Sequence, residues 1–198
     1  MNIKNNNNVY TLLGASNHSD YERQLVDYYA TDPNAVEIFL KKLKEDKIVL
    51  PNEIYEPACG GGHISEVLKK HGYTVYSSDL YNHGYGKTEI DFLKSDFQAD
   101  CIFTNPPYKK ALPFVRQAIK NVKNNCYVIM FLRIQFLEGK ERYYFFKDNP
   151  PKFVYVNSSR QKCSRNADFE NFNSSAVCFC WFIWQKGYTG ETIVRWIK

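Results

Sequence analysis

The stretch 100–108 constrains the fold of this chain more than any other. It combines a short apolar strand, Cys101–Phe103, with Asn105 and two consecutive prolines. Proline lacks a backbone N–H and has a fixed φ, so Pro106 and Pro107 end the strand. A residue that precedes proline is itself held in an extended conformation. The Asn105 carboxamide is therefore predicted to lie on rigid backbone at the end of a strand, where ligands bind in open α/β sheets.

An amide, two prolines and an aromatic ring in such a place suit chemistry at the exocyclic amino group of a nucleobase such as adenine. The nitrogen of that group is a poor nucleophile because its lone pair is delocalised into the ring. If the Asn105 side-chain oxygen and the Pro106 carbonyl accept its two hydrogens, the lone pair can point at an electrophile. Asn is not a base at neutral pH, so its expected role is positioning and electrostatic stabilisation. Tyr108 would stack on the base. The alternative is a purely structural Pro-Pro turn with a buried tyrosine.

Length and composition indicate one domain with a substantial core, since the chain has 198 residues and 16% aromatic residues. We expect residues 21–198 to form this domain and the polar residues 1–20 to be a flexible lead-in rather than a signal peptide.

No apolar run approaches the ~18 residues that span a membrane. The six cysteines are scattered, without metal-ligand spacing, so no metal site is expected. Free thiols fit a cytoplasmic protein.

Charge is divided unevenly along the chain. Residues 1–108 contain 10 Lys and Arg against 15 Asp and Glu, a net −5, whereas residues 109–198 contain 16 against 6, a net +10. A basic half beside an acidic one fits a partner with a phosphate backbone. A solvated basic face would explain the same numbers.

A second anchor is the segment 53–63, which reads Glu-Ile-Tyr-Glu-Pro-Ala-Cys-Gly-Gly-Gly-His. A strand begins at Ile54, the glycines form a tight turn, and a helix follows as far as about Gly72. This order lets the backbone approach a ligand closely. It lacks the Gly-Lys-Ser/Thr of a phosphate loop, and Glu56 would repel phosphate. An acid there suits a cofactor with ammonium and sulfonium groups; a structural glycine turn is the alternative.

The segments around these anchors predict an alternation of strands and helices. Asp32 is a good N-cap and Pro33 a good first residue for a helix from about Asn34 to Asp46. Its apolar face consists of Val36, Phe39, Leu40 and Leu43. A strand at 73–79 places Asp79 at its end, where a carboxylate can accept from both hydroxyls of a ribose or simply begin a turn.

The second half of the chain continues the alternation. We predict a helix at 112–119, a central strand at 126–132, and a helix at 136–146 whose aromatic cluster 143–146 lies in the core. A strand follows at 153–156, and the segments 176–184 and 191–196 look like a closing antiparallel hairpin. The pattern predicts an α/β fold with a mainly parallel sheet and helices on both faces.

These motifs resemble those of the S-adenosylmethionine-dependent amino-methyltransferases, above all the DNA adenine-N6 methyltransferases, in a small phage-like or orphan form. The segment 105–108 is similar to their catalytic motif and 56–62 to their first motif. The resemblance implies the class I methyltransferase (Rossmann-like) fold and S-adenosylmethionine as cofactor. Implied catalytic residues are Asn105, Pro106, Pro107 and Tyr108. Implied cofactor-binding residues are Tyr29, Thr31, Pro33, Glu56, Ala58, Cys59, Gly60, Gly62, His63, Asp79, Leu80, Asp91, Phe92 and Asn105.

The chain departs from that family in lacking its long target-recognition region. Only the polar segment 157–175 could take that role. Arg160, Lys162 and Arg165 in this segment are expected to contact phosphates or base edges. The other expected substrate-binding residues are Tyr108 and Lys109. A partner protein that supplies specificity is the alternative.

DNA is the expected substrate, and other substrates stay open. Adenine in RNA and a glutamine amide in protein need the same two acceptors for an NH₂ group. The cytosine-N4 enzymes usually have Ser in place of Asn105, which disfavours cytosine. A non-catalytic nucleic-acid-binding protein that retains a cofactor pocket is a further alternative from another class.

Overall fold

The computed structural model describes residues 29–159, 163–165 and 177–198, so the expected lead-in at 1–20 lies outside the described residues. The strands are β1 Tyr29–Thr31, β2 Glu53–Glu56, β3 Thr74–Ser77, β4 Ala99–Thr104, β5 Val122–Arg133, β6 Phe153–Asn157, β7 Cys163–Arg165, β8 Phe179–Gln185 and β9 Ile193–Ile197. The α-helices are α1 Pro33–Glu45, α2 His63–Lys70, α3 Ala111–Asn121 and α4 Lys140–Asp148. Short 3₁₀ turns cover Phe92–Lys94, Tyr108–Lys110 and Ile134–Leu137. None of the helices in these ranges has the length and apolar character to cross a bilayer.

Seven strands form one sheet in the order β3-β2-β4-β5-β8-β6-β9. All pairings are parallel except those of β8, which runs antiparallel to both β5 and β6. The predicted α/β fold with a mainly parallel sheet is confirmed. The last two strands run antiparallel to each other, as expected of a hairpin, but β6 lies between them. Burial explains this order: β8 is buried almost throughout and takes an interior position, whereas β9 is largely exposed and takes the edge.

Helix α1 begins where its sequence predicts. The Asp32 side chain accepts a hydrogen bond from the Asn34 N–H at 2.9 Å, and Pro33 is the first helical residue. The predicted apolar face is buried, and the Phe39 ring stacks on Trp181 of β8 with 4.6 Å between ring centroids. This stacking fixes α1 against one face of the sheet.

The core lies on both faces of the sheet. Along β4, Cys101 and Phe103 join the cluster beneath α1 and α2. Ile102, on the opposite face, packs in a second cluster with Val115 of α3. The alternation follows from the period of two along a strand, and it leaves both faces apolar, as a parallel sheet requires.

The predicted helix at 136–146 is wrong in its bounds. Gly139 has φ 119°, which ends the 3₁₀ turn and forces α4 to begin after it. The aromatic cluster is consequently split between core and surface. Phe145 is buried, but Tyr143 and Tyr144 are 66% and 68% exposed.

A separate two-stranded sheet joins distant parts of the chain. β1 pairs antiparallel with β7, with Tyr29 opposite Arg165 and Thr31 opposite Cys163. Part of the polar segment 157–175 is thereby brought beside the start of the described chain.

Candidate active site

The glycine-rich turn and the Pro-Pro turn meet at one edge of the sheet. β2 and β4 are adjacent and parallel, with Tyr55 opposite Ile102. From β2 the chain passes to β3 on one side and then to β4 on the other. A crevice at such a reversal of strand order is the usual ligand site of open α/β sheets. The turns 57–62 and 105–108 follow the carboxyl ends of these two strands, so the structure brings both predicted motifs to this crevice.

The Asn105 side chain is oriented by β1. Its Nδ2 donates to the Tyr29 carbonyl and to the Thr31 hydroxyl, both at 2.9 Å. A carbonyl oxygen can only accept, so the amide nitrogen must face β1 and the amide oxygen must face away from it. Tyr29 and Thr31, which the resemblance assigned to the cofactor, thus contact Asn105 of the turn 105–108.

Tyr108 is surrounded by two rings and a cation. Its centroid lies 5.6 Å from Tyr29 and 5.7 Å from Phe179, and the Arg133 guanidinium carbon lies 4.6 Å from it, over the ring. Sequence reasoning missed Arg133 and Phe179. A signal for Arg133 existed: it is the first charged residue after the apolar run 126–132, at the carboxyl end of a central strand. Lys109 is exposed beside Tyr108.

Asp79 lies at the carboxyl end of β3, next to the glycine-rich turn. Its Oδ2 accepts from the Gly60 N–H and its Oδ1 from the Tyr81 N–H, each at 2.9 Å. A carboxylate offers about four acceptor sites, so two further hydroxyls can be bound. The free acceptor positions of the Asp79 carboxylate fit the two hydroxyls of a ribose in a nucleoside cofactor. Leu80, the next residue, is exposed.

Glu56 is almost closed to solvent, with 1% of its surface exposed. Ser65 donates a hydrogen bond to its Oε2, and the Ser65 and Ser77 hydroxyls are 2.6 Å apart. Burial raises the pKa of Glu56 from 4.5 to about 8, against the hydrogen bond from Ser65 and with the charge of Asp79 adding to the rise. At neutral pH this carboxyl is therefore largely protonated, and its expected contact with a cofactor ammonium stays a prediction.

Gly62, the last glycine of the turn, leaves the space that the Tyr85 ring occupies. Gly62 has φ 83°, and a Cβ there would lie 2.6 Å from the Tyr85 ring. The Tyr85 hydroxyl donates to Glu66 and accepts from Lys69, at 2.6 Å each. Sequence reasoning gave the loop 82–87 no role, yet it covers this side of the turn.

Three other predicted cofactor residues lie in or beside the same turn. Cys59 is buried, and burial, with smaller contributions from Glu56 and Asp79, raises the pKa of its thiol to about 12. His63 is the first residue of α2, and burial lowers its pKa. Ala58 is half-buried.

Phe92 is a core residue. Only 2% of it is exposed, and its ring packs against Tyr55 and Phe114, with centroids 6.1 and 5.1 Å away. Its ring lies in the core beneath the predicted cofactor site, and its contact with a cofactor stays a prediction. Asp91 caps the following turn by accepting from the Leu93 N–H at 3.1 Å.

The remaining predicted residues are placed less completely. Pro33 forms the start of α1, and its role towards a cofactor stays a prediction. Arg160 and Lys162 lie outside the described residues, and Arg165 is placed only through its backbone pairing with Tyr29. Among the described residues no group of His, Cys, Asp or Glu is arranged to hold a metal ion.

Comparison with known proteins identifies the fold. No protein-family model matches the chain, and no curated protein matches it in sequence. Among solved structures, one provisionally named an RNA methyltransferase from Pyrococcus horikoshii has a TM-score of 0.62 at 13% identity, over 89% of this chain and 96% of that one. One provisionally named a class I S-adenosylmethionine-dependent methyltransferase from Listeria monocytogenes has 0.63 at 13%, over 89% and 68%.

A third similar structure belongs to a larger protein. The type I restriction-modification system methyltransferase subunit from Streptococcus thermophilus has a TM-score of 0.62 at 14% identity, over 85% of this chain and 47% of that one. Our chain thus spans about half of that subunit. These likenesses show that the chain has the fold of the class I S-adenosylmethionine-dependent methyltransferases. The strand order and the antiparallel direction of β8 agree with it.

Proposed function

We propose that this protein is an S-adenosylmethionine-dependent methyltransferase that acts on the N6 amino group of adenine in DNA. The observation that carries the proposal is the fixed orientation of Asn105 at the crevice between β2 and β4. Because Nδ2 is held by Tyr29 and Thr31, the amide oxygen is set in place before a substrate arrives. Preorganised acceptors and dipoles of this kind are the main means by which enzymes stabilise transition states.

The residues at the crevice fit the proposed cofactor. Asp79 would accept from the ribose hydroxyls, and the backbone of the turn 57–62 would lie along the methionine part. S-adenosylmethionine supplies an electrophilic methyl group when bound. The fold neighbours from L. monocytogenes and S. thermophilus, both named as methyltransferases, support this choice.

Asn105 and Pro106 would act on the amino group of the substrate. The Asn105 side-chain oxygen and the Pro106 carbonyl accept its two hydrogens, which turns the nitrogen lone pair towards the methyl donor. Neither group is a base, so the proton released from the nitrogen leaves to solvent. Tyr108 would stack on the base.

Nucleic acid is favoured as the substrate by charge and by the course of the chain. Residues 109–198 carry a net +10, and β7, a part of the polar segment 157–175, pairs with β1. We propose Arg160, Lys162 and Arg165 of this segment as contacts to the nucleic-acid strand. A partner protein that supplies further specificity stays the alternative to this segment.

Adenine in RNA is the second candidate. The structure from P. horikoshii, provisionally named an RNA methyltransferase, is matched over 96% of its length. This likeness over nearly the whole of that protein is what supports RNA as the alternative substrate.

Transfer of tritiated methyl from S-adenosylmethionine tests the proposal. Substrates are duplex DNA, single-stranded DNA, RNA and a protein extract, with Asn105→Ala as the control. We expect label on DNA that is lost in the variant, with N6-methyladenine in the nucleoside digest. Label on RNA alone would move the substrate to the second candidate, and label on protein alone would overturn both.

A further inference from the structure

We propose that Arg133 binds a backbone phosphate of the nucleic-acid strand next to the target base. This inference rests on the proposed function and assigns a new residue to its substrate site. Arg133 is the last residue of β5, the strand beside β4, so it lies at the same sheet edge as the turn 105–108.

The position of the Arg133 guanidinium is set by Tyr108. The side chain is exposed, and its guanidinium carbon lies 4.6 Å from the Tyr108 ring centroid. A guanidinium over a ring engages it with its flat face and keeps N–H donors at its edge. Those donors match the oxygens of a phosphate in a bidentate arrangement. The cation is thus held ready, with less side-chain freedom to lose on binding.

The charge of Arg133 is not neutralised within the described part of the chain. None of the carboxylates there lies within ion-pair distance of Arg133, or of Lys109 and Lys110 in the turn that Tyr108 begins. Arg116 of α3 differs: it also lies over a ring, that of Phe145 at 4.9 Å, but has Glu141 at 3.9 Å. Arg133 and the two exposed lysines that follow Tyr108 in the chain thus give this sheet edge positive charge without an acidic partner among the described residues, which favours an anion.

A phosphodiester is the anion that this location selects. A base that enters the crevice to reach Asn105 remains attached to its strand, so its flanking phosphates must pass close to Tyr108. Contacts to phosphates fix the register of a strand without reading its sequence. Arg133 would therefore position the strand, whatever the target sequence is.

Binding of short fluorescein-labelled DNA to the full chain, followed by anisotropy over a range of salt concentrations, tests this inference. The variants are Arg133→Gln, Arg133→Lys and, as matched control, Arg116→Gln. We expect Arg133→Gln to weaken binding about tenfold and to lower the slope of log affinity against log salt by about 1. Arg133→Lys keeps most of the slope, and Arg116→Gln behaves as the wild type. Unfolding temperature and cofactor affinity stay unchanged in all three.

The outcomes separate this inference from the proposed function. Methyl transfer to DNA with an unaltered salt slope in Arg133→Gln would overturn the phosphate site alone. Salt-dependent binding that is lost in Arg133→Gln, without methyl transfer by the wild type, would support the site and contradict the catalytic proposal. An equal loss in Arg116→Gln, or an effect of Arg133→Gln on a protein substrate that lacks phosphate, would also overturn it. The same assay with RNA of matching sequence shows which nucleic acid the site prefers.

Discussion

At the scale of single residues, the contact with the largest consequence is the pair of hydrogen bonds from Asn105 to β1. Both acceptors, Tyr29 O and Thr31 Oγ1, come from more than 70 positions earlier in the chain, with separations of 76 and 74. Sequence reasoning placed Asn105 at the end of a strand because prolines act on their immediate neighbours. It could not identify these acceptors, because the pairing depends on tertiary structure.

Asn105→Asp is expected to lower the turnover number of methyl transfer by about 100-fold or more. A carboxylate oxygen would replace Nδ2 opposite the Tyr29 carbonyl, and two acceptors repel each other. Cofactor affinity, measured by calorimetry, should fall less than turnover, because the proposed ribose acceptor Asp79 is untouched. Asn52→Asp is the matched control, since Asn52 is exposed at the opposite end of β2. Turnover of Asn105→Asp close to the wild-type value would contradict the assigned role.

Glu56 predicts an unusual pH dependence of stability. Its pKa is raised from 4.5 to about 8 in the folded protein, so the folded state binds this proton more tightly than the unfolded state. The free energy of unfolding should therefore fall as pH rises between these values, by at most about 1.4 kcal/mol per pH unit from this group.

Urea unfolding at a series of pH values measures this dependence. Glu56→Gln cannot ionise and keeps an oxygen for the Ser65 hydroxyl, so its stability should be flatter with pH. Glu53→Gln in the same strand, where the side chain is exposed, should retain the wild-type dependence. Identical pH profiles for wild type and Glu56→Gln would show that Glu56 is not the cause.

Phe92 and Glu56 show what sequence patterns omit at this scale. Their residue types and positions resemble the motifs of the family, but a pattern does not state which way a side chain points. Phe92 turns into the core because Tyr55 and Phe114 surround it. Glu56 turns towards Ser65, which lies 9 positions away and donates a hydrogen bond to it.

At the scale of elements, the glycine-rich turn is shaped by the loop that covers it. Gly62 and Gly72 share a positive φ, of 83° and 89°, but only Gly62 has a neighbour, the Tyr85 ring, in the space a Cβ would take. Substituting each glycine by alanine therefore separates two contributions to the free energy of unfolding: backbone strain, which both variants share, and a steric clash, which only the Gly62 variant has.

Gly72→Ala is expected to lower the free energy of unfolding by about 1–2 kcal/mol, the cost of a left-handed conformation. Gly62→Ala should cost more, since the Tyr85 ring must also move. In a double-mutant cycle, Tyr85→Ala should remove that excess. Equal costs for the two glycines in urea unfolding would show that Tyr85 does not hold this turn.

Elements with local signals were predictable, and their pairings were not. The start of α1 follows from Asp32 and Pro33, which act within one turn. The break before α4 depends on the φ of a single glycine, Gly139. The insertion of β6 between β8 and β9 depends on which strand is the most apolar over its whole length, and this is decided only when all the strands compete for positions.

At the scale of the whole molecule, Asp46 joins the first described helix to the last strand. Its Oδ2 accepts from Arg195 of β9 at 2.6 Å and from the Tyr155 hydroxyl of β6 at 2.7 Å, and its Oδ1 pairs with Lys42 at 2.8 Å. Burial by itself would raise the pKa of Asp46, but these three hydrogen bonds outweigh it and lower the pKa to about 2.

Asp46→Asn should therefore destabilise the protein at neutral pH by about 2–3 kcal/mol, because Arg195 loses its anionic partner. The difference from wild type should shrink as pH falls from about 4 towards 2, where Asp46 itself becomes protonated. Urea unfolding at both ends of this range measures it. Glu45→Gln, an exposed partner of Lys42 at 3.8 Å, should change stability by less than about 0.5 kcal/mol. A similar loss in both variants would argue against a specific role for Asp46.

The pairing of β1 with β7 has a consequence for anyone who wishes to retarget this protein. β7 lies inside the segment 157–175, which we proposed as the substrate-recognition element and which would be exchanged to test that role. Within the described residues it is also the only strand that pairs with β1, whose Tyr29 and Thr31 orient Asn105. A chimaera that replaces the whole segment would also remove the strand that supports β1 and, through β1, the Asn105 amide. Grafts should therefore keep the three residues Cys163–Arg165 and vary the chain on either side of them.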